Sequence, residues 1–337
     1  MKLIECVPNF SEGADPVTIG QIKVTIASVD GVKLLHVDPG KGANRTVFTF
    51  AGEPQPVIDA AFLAIKKAGE LIDMPTHKGE HPRMGATDVC PLIPIANISM
   101  AETVEYAKKL AKRVGEELQI PVYLYEHAQP DKTRHNLSVI RAGEYEGFFK
   151  KIKSPGWKPD FGPAELDVKR GATVIGARDF LIAYNVNLDT ASVPLANEIA
   201  RDVRESGRIL RDETGKPSTI PGSLKAIKAI GWHIPEYSIA QVSMNLTNIE
   251  ITPLHIAFEE VRAKATQRGI QVTGSELVGL IPLTAMLNAG KYFLAKQHRP
   301  IEVAEEQIID AAIISLGLSD LAPFRPEERI IEYLLKK

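Results

Sequence analysis

Apolar positions along this chain switch between a period of two and a period near 3.6, and the switching predicts most of its elements. Residues 3–8 read as a strand and residues 16–29 as a helix. Residues 32–38 and 45–51 read as two strands about a turn at 39–44 that is rich in glycine and asparagine. Residues 54–72 have helical spacing with Pro56 near the first turn, and residues 88–95 return to a strand pattern. At residues 99–118 a helix is predicted with its start defined, because Ser99 stands at the N-cap and Glu102 completes a capping box. Residues 121–125 read as another strand. The pattern then breaks at 154–171, where Pro155, Gly156, Pro159, Gly162, Pro163 and Gly171 predict a long loop or linker. Loops of that length are often functional.

The second half echoes the first. A strand at 181–188 ends near Asn187 as the first strand ends near Asn9. A helix at 191–206 follows, then strands at 224–234 and 240–246 and a helix at 253–268. Thr252-Pro253 opens that helix as Glu53-Pro54 opens its counterpart. The run Gly274-Ser-Glu-Leu-Val-Gly-Leu-Ile-Pro282 resembles Gly85-Ala-Thr-Asp-Val-Cys-Pro-Leu-Ile-Pro94. Both halves read β-α-β-β-α-β. The expected fold is α+β, with two related α/β subdomains at 1–178 and 179–337. Each would be a mainly antiparallel sheet with helices packed on one face, ferredoxin-like in character. Chance similarity of two generic α/β halves is the competing reading. Residues 207–222 predict an exposed polar excursion, and helices at 283–296, 303–316 and about 327–335 close the pattern.

Composition narrows the class. A chain of 337 residues with 44% hydrophobic and 24% charged residues has the profile of an ordinary soluble protein that needs neither disulfide nor metal to fold. Forty Lys+Arg against 42 Asp+Glu leave a formal charge of −2, without the basic excess of a nucleic-acid binder. Cys6 and Cys90 lie in apolar strand-like runs and are expected to be buried, reduced thiols. Glu5 and Pro8 interrupt residues 1–10, which do not read as a signal peptide, and the apolar stretch 277–290 is too short to span a bilayer. A cytoplasmic protein that binds no membrane is expected.

The densest chemistry is His77-Lys-Gly-Glu-His81-Pro82-Arg83-Met-Gly85-Ala-Thr-Asp88. Ionisable groups crowded between glycines and prolines on a loop point to an active site, a solvated charged loop being the alternative. His77-x-x-Glu80-His81 also spells an inverted zinc-peptidase signature. That chemistry needs both histidines on one helical face, and Gly79 within the motif and Pro82 after it oppose a helix there. No metal or redox cofactor is expected. Histidine suits a reaction that takes and gives a proton near neutral pH. Of eight histidines, His36, His233 and His255 fall inside strand or helix patterns, and His127, His135 and His298 read as surface residues. His81, held by Pro82, is the candidate catalyst, with His77 a possible supporting partner. A second constellation comprises Asn9, Ser11 and Glu12 after the first strand and Asp38 and Arg45 flanking the next hairpin. Turn chemistry accounts for those residue types equally well. Phosphate-loop, dinucleotide-loop and nucleophile-elbow signatures are missing.

At these residues the chain closely resembles the formiminotransferase domain of the formiminotransferase-cyclodeaminase family. The resemblance is carried by Glu5-Cys-Val-Pro-Asn-Phe-Ser-Glu-Gly13, Asn44-Arg-Thr-Val47, Leu71-Ile-Asp-Met74, His77-Lys-Gly-Glu-His-Pro-Arg-Met-Gly-Ala86, Pro121-Val-Tyr-Leu-Tyr125, Ile140-Arg-Ala-Gly-Glu-Tyr-Glu146, Pro159-Asp-Phe-Gly-Pro163, Gly171-Ala-Thr-Val174 and Gly274-Ser-Glu-Leu-Val-Gly-Leu280, nearly end to end and in order. It implies transfer of the formimino group of N-formiminoglutamate to N5 of tetrahydrofolate, a co-substrate, late in histidine degradation. It marks His81 as the acid/base. It marks Gly162, Pro163, Ala164, Glu165, Leu166, Asp167, Val168, Lys169, Arg170 and Gly171 as folate-contacting. It further implies a folate cleft between two subdomains, a homodimer, and a separate cyclodeaminase acting next. Within that chemistry Glu80, Asp38 and Glu12 are the carboxylates that could assist the amidine, Asn9 adds an amide, and Arg83, Arg45 or Lys78 could hold substrate carboxylates. Formyl transfer between 5-formyltetrahydrofolate and glutamate in the same site, or folate binding without catalysis, are the rival functions.

Overall fold

Pro8 divides the first strand, since a residue without an N–H cannot continue a ladder. The two pieces are β1 (Leu3–Cys6) and β2 (Asn9–Phe10). This computed structural model describes residues 1–41, 43–79, 82–211, 217–234 and 237–336. It divides into two units, Met1–Asp179 and Phe180–Lys337.

In the first unit β2 is followed by α1 (Pro16–Ala27), β3 (Val32–Gly40), β4 (Arg45–Gly52), α2 (Pro54–Leu71), β5 (Thr87–Ala96), α3 (Met100–Glu117), β6 (Val122–Glu126), α4 (Leu137–Arg141), α5 (Glu144–Lys151) and β7 (Thr173–Ala177). Asp15 caps α1, its carboxylate accepting from the N–H groups of Val17 and Thr18. The capping box expected of Ser99 and Glu102 is present at the start of α3. Strands β3, β4, β1 and β5 lie side by side and antiparallel, the order of a βαββαβ unit. β7 then adds parallel to β5, and β6 parallel to β7, the connection from β5 to β6 running through α3.

The second unit contains β8 (Ile182–Leu188), α6 (Val193–Val203), β9 (Arg208–Arg211), β10 (Pro217–Ile220), β11 (Ile227–Ile234), β12 (Ile239–Leu246), α7 (Leu254–Thr266), β13 (Val272–Val278), α8 (Leu283–Lys296), α9 (Glu305–Leu316), α10 (Pro326–Arg329) and α11 (Ile331–Lys336). Its sheet runs β11-β12-β8-β13, antiparallel throughout. Matching each strand to its place in the first unit gives the same order, so the echo between the halves is a repeat of topology. The excursion at 207–222 contains a separate hairpin, β9 with β10.

Each sheet buries one face and keeps polar groups on the other. In the first unit Phe10 and Phe48 meet edge to face at 5.5 Å, and Phe50, Ile22 and Ile26 of α1 and Val57 and Ile65 of α2 fill the same core. Asn9, Val47 and Asp38 are direct cross-strand partners, and Arg45 lies two residues from Val47, so all four share the opposite face. The second unit repeats this with a bonded row. Gln241 Nε2 donates to Asn187 Oδ1 at 2.6 Å, and Asn185 Nδ2 donates to Glu276 Oε2 at 3.1 Å. Cys6 and Cys90 are buried free thiols with their sulfurs 3.5 Å apart. Among the described residues no helix is long and apolar enough to cross a membrane.

The residues before β7 pack backbone against backbone on those before β5. A Cβ added to Gly171, whose φ is +72°, would lie 2.3 Å from the Met84 carbonyl oxygen. Gly171→Ala is expected to lose about 2 kcal/mol or more through backbone strain and overpacking. A lowered urea midpoint would report this, and an unshifted one would show that the two segments can part freely.

Candidate active site

The loop from His77 to Asp88 is fixed from four sides. Asn44, in the β3–β4 turn with φ +45°, donates from Nδ2 to the Lys78 carbonyl at 2.7 Å. Its Oδ1 accepts from the Gly13 N–H at 3.0 Å, so the turn after β2 joins the same knot. Gly79 is required here, because a Cβ would stand 2.3 Å from the Ala43 carbonyl oxygen. Ser11 bonds to the loop twice, Oγ to the Gly85 carbonyl at 2.8 Å and N–H to the Ala86 carbonyl at 2.9 Å. The segment before β7 closes the third side, where the Met74 N–H donates to Lys169 and the Ala86 N–H to Arg170. On the fourth, the Tyr145 N–H donates to the Arg83 carbonyl at 2.8 Å.

His77 is buried and uses both ring nitrogens. Nδ1 accepts from Arg83 Nε at 3.3 Å, which leaves the proton on Nε2 to donate to the Asn44 carbonyl at 2.8 Å. A ring so engaged has no lone pair to offer a metal, which removes His77 from the zinc-peptidase reading. It holds the loop to the β3–β4 turn instead. His81 and Glu80, the expected acid/base and one expected carboxylate, lie outside the described residues.

The remaining candidates separate by what their polar atoms already do. Arg83, with 7% of its side chain exposed, engages all five N–H groups: Nε with His77 Nδ1, Nη1 with Glu144 and Glu146, and Nη2 with Glu146 and the His77 carbonyl. Glu12 caps the approach to α1 through the N–H groups of Ala14 and Asp15, both at 2.8 Å. Asn9 is buried and donates to the Val7 carbonyl. Asp38 differs from all of these. It is half-buried on the polar face of the sheet, and its carboxylate makes no hydrogen bond or ion pair among the described residues.

The segment 162–171 is organised from within. Arg170 Nε and Nη2 grip Asp167 Oδ2 at 2.9 and 2.6 Å, and Nη1 reaches the Leu118 carbonyl at 2.7 Å. Lys169 Nζ donates to the Glu70 carbonyl, Leu166 is buried, and Tyr145 Oη donates to the Val168 carbonyl. Gly162 has φ +83° and packs on Gly115. Ala164, Glu165, Val168 and Lys169 are left exposed, with Pro163 half-buried.

At the end of the 77–88 loop lies a group to which the sequence assigned no separate role. Asp88 has no exposed side-chain surface. Its Oδ1 accepts from the Met84 N–H at 3.1 Å, and its Oδ2 accepts from Arg141 Nη2 at 2.6 Å with Arg45 Nη1 at 3.8 Å. Burial pushes the Asp88 carboxyl above the ordinary carboxylate range, and Arg141, Arg45 and the Met84 N–H pull it back. Burial brings Arg45 down to about 10, Asp88 opposing and Arg141 adding to the fall. Arg141 closes α4, a helix of five residues, and Lys151 holds that end by donating to the carbonyls of Val139, Ile140 and Ala142 at 2.7, 2.7 and 3.0 Å while its Nζ sits 3.8 Å from the Trp157 ring centroid. In the sequence Asp88 closes the ionisable cluster that begins at His77 and Arg141 falls in the family-like stretch 140–146, but neither position carried a role of its own.

Residues 3–178 match the formiminotransferase domain, N-terminal subdomain, and residues 183–336 match the formiminotransferase domain. A formimidoyltransferase-cyclodeaminase of Gallus gallus is 49% identical over 335 residues, which are 99% of this chain and 60% of that one. A glutamate formimidoyltransferase of Thermoplasma acidophilum is 45% identical over 296 residues, 87% of this chain and 93% of that one. One from Streptococcus pyogenes serotype M1 is 42% identical over 293 residues with the same two coverages, 87% and 93%. The chain thus spans about 60% of the length of the formimidoyltransferase-cyclodeaminases it matches.

The Arg83 clamp makes a pH prediction. Hydrogen bonding to Arg83 lowers Glu146 from 4.5 to about 2. A depressed carboxyl pKa contributes stability that is complete above the unfolded value and lost as pH falls through the folded one. Glu146→Gln should therefore be less stable than the wild type above pH 4.5, with the gap closing by about pH 2. The effect should be modest, because 58% of the Glu146 side chain is exposed and the pair is screened. Denaturation midpoints across that range measure it; a gap independent of pH would disconnect Glu146 from Arg83.

Proposed function

The chain belongs to the formiminotransferase family, and from that membership we propose that it moves the formimino group of N-formiminoglutamate to N5 of tetrahydrofolate, releasing glutamate and 5-formiminotetrahydrofolate. The observation that carries the reading is the convergence on one loop. Residues 77–88 are bonded at once to the turn after β2, to the β3–β4 turn and to the segment before β7.

In this mechanism N5 attacks the amidine carbon and a tetrahedral adduct forms. His81 takes the proton that N5 loses and delivers it to the glutamate nitrogen as the carbon–nitrogen bond to glutamate breaks. A protonated amidine is the better electrophile. Asp38, whose carboxylate has no described partner, is the group we assign to hold it, since Glu12 is committed to the start of α1. Arg45 and Lys78 are the cations kept for substrate carboxylates; Arg83 has no donor left to give. Asn9 and Asp38 share the polar sheet face, flanking Val47 from its two sides. The exposed edge of 162–171 is assigned to folate, with Arg170 and Asp167 shaping it from behind. Transfer changes no oxidation state and activates no water, so its balance asks for neither metal nor redox cofactor. Holding both reactants together lowers the entropic part of the barrier. The reading includes a cytoplasmic homodimer with a cyclodeaminase as the next enzyme.

Pure protein mixed with N-formiminoglutamate and tetrahydrofolate should generate the absorbance of 5-formiminotetrahydrofolate. Faster turnover of 5-formyltetrahydrofolate with glutamate would transfer the assignment to formyl chemistry, and folate binding without turnover would end the enzymatic reading. His81→Ala should lower turnover about 10²-fold or more while the protein folds normally. Near wild-type turnover would remove His81 from its role.

A further inference from the structure

The arginines about the 77–88 loop differ in how much of their hydrogen-bonding capacity the chain itself meets. Arg83 uses every N–H it has, and Arg170 is clamped on Asp167 and Leu118. Arg141 makes a single hydrogen bond among the described residues, from Nη2 to Asp88, and its Nε is buried without a partner. Only 13% of its side chain is exposed, so bulk water does not fully compensate the remaining donors. Buried polar groups are ordinarily satisfied, and an exception needs an explanation. Poor anchoring is not that explanation. Lys151 pins the carbonyls on both sides of Arg141, and Asp88 fixes the guanidinium at 2.6 Å.

Arg45 approaches the same carboxylate at 3.8 Å, so two planar cations stand at one anion beside the loop. We propose that Arg141, with Arg45 next to it, is a recognition site for the carboxylate of a glutamyl group. This rests on the functional reading above, in which both reactants carry that group: the donor is a glutamate derivative, and tetrahydrofolate ends in a glutamyl tail. Neither carries phosphate, and a guanidinium fork with unmet donors matches the two oxygens of a carboxylate. The Arg141 Nε is closed to solvent, so a bound carboxylate would reach the Nη1 donors that Asp88 leaves free and would offset the repulsion between Arg45 and Arg141. Binding forms no covalent bond and moves no proton.

The test titrates L-glutamate, tetrahydrofolate and tetrahydropteroate, which lacks the glutamyl tail, into the wild type and Arg141→Gln by calorimetry. Loss of a charge-assisted pair should weaken the affected ligand by about 10-fold or more. Weakened L-glutamate assigns the site to the donor. Weakened tetrahydrofolate with unchanged tetrahydropteroate assigns it to the folate tail. In either case KM for that substrate should rise more than kcat falls. Arg141→Lys keeps the charge on Asp88 but loses the fork, and should be intermediate. Unchanged affinities and KM values in a folded Arg141→Gln overturn the proposal. Should that variant fail to fold, unchanged values in folded Arg141→Lys overturn it equally. A wild type that turns over normally beside such a variant would sink this site alone; a wild type that binds neither L-glutamate nor tetrahydrofolate would sink the functional reading and this inference together.

Discussion

Asp88 is a carboxylate with no access to solvent, and the first unit is built around making its charge tolerable. An isolated buried carboxylate is costly enough to protonate rather than remain ionised. Here one oxygen receives the Met84 N–H and the other receives Arg141, with Arg45 close by. Those three partners come from the 77–88 loop, from α4 and from the first residue of β4. One buried carboxylate thereby ties β4 to α4, whose arginine lies 53 residues along the chain from it. Ser11 and Asn44 donate to the loop and the Arg170 carbonyl accepts from it, which adds to the hold that Asp88 has on the Met84 N–H.

Much of the fold was legible because it is local. The α3 capping box needs only Ser99 and Glu102, and the βαββαβ pattern follows from where the apolar period changes. Shorter elements escaped. α4 and α5 span five and eight residues, too few for a periodicity to stand out, and β7 follows directly on a glycine-rich segment that masks its start. At the site, the sequence located the converging segments but not the duties within them. Glu12 and Asp38 are both carboxylates near turns, yet one satisfies two backbone N–H groups and the other makes no described bond. Arg83 and Arg141 likewise look alike as residue types. Only the arrival of Glu144 and Glu146 at Arg83, some 60 positions along the chain, separates them.

The two units use one plan to different ends. In each, the polar sheet face carries an asparagine at the close of the first strand, Asn9 in one and Asn187 in the other. Around Asn187 the neighbouring side chains bond to one another through Gln241 and Asp320, while Glu276 joins Gln241 to Asn185. On the same face as Asn9, across Val47, the Asp38 carboxylate makes no bond among the described residues. A duplicated scaffold permits this division: one copy satisfies its polar groups internally, and the other can present them outward.

The ammonium of Lys151 acts as a bolt through the stretch between β6 and the long loop. A helix of five residues has no stability of its own. What keeps α4 wound is a cation threaded among three carbonyls and pressed on an indole ring. Trp157 never approaches Asp88 in the bonds described, yet it belongs to the same mechanical linkage. Natural variation at Trp157 or Lys151 would therefore be felt as a change in aim at the far end of the lever, where a guanidinium faces the loop.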